Sequence, residues 1–187
     1  MSIFSENKQF LFVHIEKNAG TSVIKTISKG LKIRWTKDFF YRGPFKGDSG
    51  VFLSRYEQHF GREKLNRWYK FCISRDPIDR MISWYNYNGY KKGSFNFWMN
   101  LFLQEKFDQI NYIKYNDGTI GINQIIKIEE LKSKWHIIEK KLNFKKKLLT
   151  KNKSKVIFEK KHITQREKKI IFDRFHNDYI FFNYEKK

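Results

Sequence analysis

The residues best equipped for chemistry lie near the start of the sequence, where Lys17, Asn18, Ala19, Gly20, Thr21 and Ser22 follow one another. The lysine supplies charge, the glycine lets the main chain approach a ligand closely, and the two hydroxyls add donors. If a helix starts here, the N–H groups of Gly20, Thr21 and Ser22 point outward from its first turn, and such groups bind phosphate or sulfate. The segment is not a standard triphosphate-binding loop, because the lysine precedes the glycine and no Gly-Lys-Ser/Thr triplet is present to hold nucleotide and magnesium together. A kinase or NTPase is therefore disfavoured. The same residues also compose an ordinary strand-to-helix turn with a capping Thr or Ser, and taken alone they fit both readings equally.

A second group lies in FCISRDPIDRMISWYNY, from Phe71 to Tyr87, where Ser83 stands eight residues after Arg75. An arginine fork and a hydroxyl together hold a phosphate. Between the two groups lies His59, and an imidazole whose unperturbed pKa is near neutrality is suited to accept a proton. Glu57 and Glu63 are neighbours that could do the same work or orient the ring. His14 falls inside a predicted strand and reads as a packed or hydrogen-bonded residue. His136, His162 and His176 fall in or beside predicted helices and read as surface residues.

These groups need elements to position them. Phe10 to Ile15 reads as a strand, followed by a loop and then a helix over 22–31, in which Val23, Ile24, Ile27 and Leu31 recur at helical spacing and Gly30 marks the stop. Phe71 to Ser74 repeats the logic as a buried strand, with Pro77 as the first residue of the next helix, where its missing N–H costs nothing. The stretch 94–105 is an amphipathic helix, 125–128 a further strand, and Leu131, Trp135, Ile138 and Leu142 a spaced helical stripe. Thr164 and Glu167 form a capping-box pair before Ile170, Ile171 and Phe175. Alternating strands and helices predict an α/β architecture with a parallel sheet covered on both faces, and ligands in such folds bind beyond the carboxyl ends of the strands. The aperiodic stretches 32–50 and 145–155 are loop candidates. The first offers Trp35, Phe39, Phe40 and Tyr41 as a sugar-stacking platform or as core. The second is a lysine run whose Lys151, Lys153 and Ser154 are further candidates for cofactor contact.

FLFVHIEKNAGTSV resembles the 5'-phosphosulfate-binding motif of Golgi-type carbohydrate sulfotransferases and their short bacterial relatives, and FCISRDPIDRMIS resembles their 3'-phosphate-binding motif. The later segments SFNFW, IIKIEEL and FFNYE match more weakly, and Glu16 and Asn18 depart from the Pro and Thr common in the family. The resemblance implies a three-layer fold like that of the P-loop NTPases, with a central parallel sheet in a single domain over 1–187. It implies 3'-phosphoadenosine 5'-phosphosulfate as co-substrate, no metal, and a hydroxyl acceptor on a carbohydrate-like molecule. It also places Lys17 at the leaving phosphate oxygen, Gly20, Thr21 and Ser22 on the 5'-phosphate with Asn18 and Ala19 in the same cofactor-binding loop, Arg75 and Ser83 on the 3'-phosphate, and a histidine in the region of His59.

Composition sets the outer limits. The chain has 187 residues, enough for one well-buried core, and its 40% hydrophobic and 18% aromatic content excludes a disordered protein. A formal net charge of +20 favours anionic partners and leaves open a second reading, a basic module that grips nucleic acid or another polyanion without catalysis. The single cysteine, Cys72, permits no internal disulfide and makes a thiolate metal site implausible. With no signal-peptide pattern at the start and no membrane-length apolar run, the expected location is the cytoplasm.

Overall fold

The computed structural model describes residues 2–32, 51–105, 108–149 and 155–185. The chain divides into two compact units, Met1–Ser74 with Asn111–Asn152 and Arg75–Ile110 with Lys153–Lys187.

The first unit is built on a four-stranded sheet of order β1(Ile3–Ser5), β2(Phe10–Val13), β3(Tyr69–Ser74) and β4(Gln124–Lys127). Strands β2, β3 and β4 run parallel, whereas β1 pairs antiparallel with β2. The sheet is therefore mixed rather than purely parallel as expected. The missed edge strand follows from a hairpin: Ile3-Phe4-Ser5 turns through four polar residues into FLFV, with Gln9 N–H donating to Glu6 O at 3.1 Å.

Period-two alternation divides the strand residues between two faces. On one, Ile3, Phe10, Phe12, Phe71, Ile73 and Ile126 pack against Val23, Ile24 and Ile27 of α1(Gly20–Gly30) and against Leu131, Trp135, Ile138 and Leu142 of α6(Leu131–Leu142). The predicted helical stripe is thus buried throughout. Gly30 ends α1, and a Cβ there would overlap the ring of Phe144. On the other face Phe4 meets Tyr56 and Phe60 of α2(Leu53–Phe60), and Trp68 after α3(Arg62–Asn66). The sheet is covered on both faces in an α/β arrangement. Strand order advances one way from β2 to β4, so the described strands contain no reversal of order at which ligand crevices form.

The second unit is helical. It contains α4(Pro77–Tyr87), α5(Phe95–Glu105), α7(Gln165–Arg174) and α8(His176–Phe181). Pro77 opens α4 as the sequence predicts, and Asp76 caps it by accepting from Asp79 N–H at 3.0 Å. Thr164 and Glu167 form the predicted reciprocal capping box at α7. Ile78, Met81, Ile82, Tyr85, Phe95, Trp98, Met99, Phe102, Ile171 and Phe175 make its core. Asn86 ties in the later chain by donating to Phe158 O at 2.8 Å and accepting from Ile157 and Phe158 N–H.

Candidate functional site

In the first unit, β2 ends at Val13 and α1 begins at Gly20, so the Lys17–Ser22 segment lies just beyond the carboxyl end of a strand. Its main chain is unusual: Lys17 has φ 67° and Ala19 φ 60°, with Asn18 between them outside the positive region. Alternation of this kind is the pattern from which anion-binding nests are built, although the Asn18 N–H is taken by Ile15 O. A left-handed conformation costs a non-glycine residue roughly 1–2 kcal/mol, so this loop carries strain at two positions.

The nest runs directly into the helix. Ala19 sits at the N-cap position without any side-chain cap, and no acidic residue stands in the first turn of α1. Ser22 and Val23 N–H both turn back to Ala19 O, at 3.0 and 3.1 Å. The amides of Gly20 and Thr21 find no main-chain acceptor among the described residues. A helix start with no capping carboxylate or hydroxyl presents its partial positive charge to whatever anion arrives.

The loop is pinned from beneath. Asn18 is fully buried and donates through Nδ2 to Ile73 O at 2.8 Å, while its own N–H reaches Ile15 O at 3.3 Å. Asn18 is thus a structural anchor rather than a side chain offered to a ligand. Ser22 is also buried, leaving Lys17, Ala19 and Thr21 as the half-buried residues of the segment, of which Lys17 and Thr21 carry polar side chains.

Gly20 also has a packing reason. A Cβ at this position would overlap Cδ2 and Nε2 of His14, so the missing side chain makes room for an imidazole. His14, half-buried and with its N–H donating to Ser2 Oγ at 3.1 Å, therefore presents its ring edge to the first residue of α1. Sequence reading put His14 among packed residues. The signal for its position is that it stands one residue beyond β2, on the same exit loop as Lys17.

His59 sits elsewhere. It is an exposed residue of the last turn of α2, edge-on to Phe60 at 4.5 Å. Phe60 and Gly61 line the same depression of about 600 Å³ as Glu6, Asn7 and Gln9 of the β1–β2 turn, which marks the amino ends of the parallel strands. Five residues of strand separate that end from His14, on the order of 15 Å. His59 is thus at the wrong end of the sheet to take a proton from a molecule held by the Lys17 loop. Glu57 is committed as well: its carboxylate accepts from Asn116 N–H at 2.7 Å and from Arg62 Nη1 at 2.8 Å. Glu63 is exposed in α3.

In the second unit, Arg75 is held through its main chain by Gln109, whose side chain accepts from Arg75 N–H at 3.0 Å and donates to Arg75 O at 2.8 Å. Ser83 is half-buried on α4, six residues after Pro77. The start of α4 already holds an anion of its own, Asp76, with Lys160 Nζ at 3.7 Å. Desolvation raises the Asp76 pKa, against the lowering influence of its Asp79 hydrogen bond and of Lys160.

Cys72 is buried in β3 and burial pushes its thiol pKa up, which fits an inert core residue. His136, His162 and His176 are exposed, as the sequence suggests. Of the lysine run, the described part reaches Leu149, whose N–H donates to Thr26 Oγ1 of α1 at 3.0 Å. Lys151, Lys153 and Ser154, and the aromatic candidates Trp35, Phe39, Phe40 and Tyr41, lie outside the described residues. No protein-family model, no curated protein and no solved structure matches this chain.

Proposed function

We propose that the chain is a sulfotransferase that binds 3'-phosphoadenosine 5'-phosphosulfate at the Lys17–Ser22 loop and passes the sulfuryl group to a hydroxyl of a carbohydrate-like acceptor. The observation that carries this reading is the strained nest at Lys17–Ala19 opening onto an uncapped helix start. Strain of that kind persists where the surroundings enforce it, and it gathers at ligand-binding positions.

The co-substrate supplies an activated sulfuryl group, and this chain's residues hold and balance charge around it. The amides of Gly20 and Thr21, which have no main-chain acceptor among the described residues, hold the 5'-phosphate in this reading. Lys17 neutralises the negative charge that grows on the departing phosphate oxygen as its bond to sulfur breaks. The acceptor oxygen forms the new bond to sulfur and loses its proton, and His14, at the start of α1, is better placed than His59 to take it. Arg75 and Ser83 keep the 3'-phosphate role that the sequence resemblance gives them. A P-loop-like fold, catalysis without a metal and a cytoplasmic location belong to the same proposal.

Transfer of labelled sulfate to a panel of sugar acceptors by the purified protein tests this reading. Transfer that is lost in Lys17→Ala supports it, and transfer that persists in that variant removes Lys17 from the chemistry.

A further inference from the structure

In the second unit, four large apolar side chains stand in solvent: Tyr87 is 62% exposed, Phe97 57%, Leu101 45% and Tyr90 39%. Phe97 and Leu101 are four residues apart on α5 and share one face, on which Gln104 follows, also exposed and uncharged. Phe97 leans on the turn at Gly93, whose N–H donates to Tyr90 O at 3.4 Å. Tyr87 meets the ring of Trp84, and Trp84 meets Phe102, the neighbour of Leu101. The four side chains therefore share one neighbourhood. The core contacts of α5 come from Phe95, Trp98, Met99 and Phe102, so packing does not call for Phe97 or Leu101. At about 200 Å² per aromatic side chain, the three rings leave on the order of 300 Å² in water, comparable with the largest apolar patch of a typical monomer, which often has a function.

Charge says what covers this surface. Between Asp79 and Glu105 the sequence has no acidic residue, and the exposed Lys91 and Lys92 lie beside Tyr90. A second copy would bring the same lysines of a chain with net charge +20 face to face, which disfavours self-association. A sugar or a base would stack on the tyrosines but gain little from Leu101. A lipid surface with anionic headgroups fits every component: Phe and Leu enter the acyl boundary, Tyr sits at headgroup depth, and Lys meets the phosphates. No helix among the described residues is long and apolar enough to cross a membrane, so the attachment would be peripheral. We propose that the surface formed by Tyr87, Tyr90, Lys91, Lys92, Phe97 and Leu101 docks the protein on anionic membranes.

Cosedimentation with phosphatidylcholine vesicles, with and without phosphatidylglycerol, tests the proposal. Wild type is expected to pellet with the mixed vesicles and far less with the neutral ones. Phe97→Ser with Leu101→Ser should weaken partitioning by at least about tenfold, and Lys91→Glu with Lys92→Glu should remove the preference for anionic lipid. Both pairs are exposed, and circular dichroism checks that the variants fold. A measurement on wild type alone adds a second criterion, since some binding should survive high salt through the apolar contacts. The proposal is overturned if wild type fails to pellet, if the double serine variant pellets like wild type, or if high salt removes binding completely. It is overturned equally if the patch mediates a concentration-dependent dimer in the absence of lipid.

Discussion

The side chain of Asn18 donates to the main-chain oxygen of Ile73 at 2.8 Å, with Asn18 fully buried. This bond fixes the loop after β2 to the end of β3, two residues before Arg75 in the chain. Asn18→Ala leaves a buried carbonyl without this donor and is expected to cost about 1–3 kcal/mol. Asn18→Asp should cost at least as much, because a carboxylate cannot donate and its charge would be fully buried. Denaturant unfolding of the two variants checks this, and a loss below a few tenths of a kcal/mol would show that the loop is held by other contacts.

His14 and Gly20 occupy each other's space, so Gly20→Ala should destabilise by about 1–3 kcal/mol through overpacking. Removing the ring should relieve the clash: Gly20→Ala combined with His14→Ala is expected to recover much of that loss. Transfer activity should stay low in the pair if His14 takes the proton. A double-mutant cycle measures the coupling, and strict additivity would contradict the contact.

Lys17 pays for its position in backbone strain. Lys17→Ala and Lys17→Gly both remove the ammonium, but only glycine adopts φ 67° without penalty, so the glycine variant should be the more stable of the two by roughly 1 kcal/mol. Both should lose transfer. Equal stability of the two variants would mean that the left-handed conformation is not kept in solution.

Glu57 and Asp117 contribute stability that acid removes. Desolvation raises the Glu57 pKa, but hydrogen bonds from Asn116 N–H, Arg62 and the Asn116 side chain outweigh it, so its carboxyl lies below the ordinary value. Asp117 is lowered chiefly by the Thr119 hydroxyl and N–H, with Arg62 assisting. Groups whose folded pKa is depressed contribute stability above their unfolded pKa and lose it as pH falls through the folded one. Their contribution to the unfolding free energy should therefore fade as pH drops below about 4.5, the ordinary value for Glu57, while Asp76 and Asp178, whose pKa values desolvation raises, act in the opposite sense. Glu57→Gln should decline less steeply over that window, and an unchanged slope would remove Glu57 as a cause.

Much of the fold is legible because local signals agree with it. The stripe Leu131, Trp135, Ile138 and Leu142 has the period of a helix resting on a sheet, Pro77 opens α4, and Thr164 with Glu167 caps α7. The edge strand β1 escapes because three residues carry no period, although the polar turn between Ser5 and Phe10 marks a hairpin. The site is legible as a segment and not as an arrangement. Lysine, glycine and hydroxyls pick out the loop, but the alternating φ values, the burial of Asn18 under Ile73 and the contact of His14 with Gly20 are tertiary facts. His59 shows the same limit: its position in sequence between the two candidate segments does not say at which end of a sheet its helix finishes.

The central claim is that the strained loop from Lys17 to Ser22 is a phosphate site for a doubly phosphorylated adenosine. Thermal unfolding with 3',5'-adenosine bisphosphate, compared with ATP and magnesium, tests it most directly. Stabilisation by the bisphosphate without magnesium is expected, about 2.7 kcal/mol at a hundredfold excess over Kd, and it should be lost in Lys17→Ala. No stabilisation by the bisphosphate, or stabilisation by magnesium and ATP alone, would contradict it.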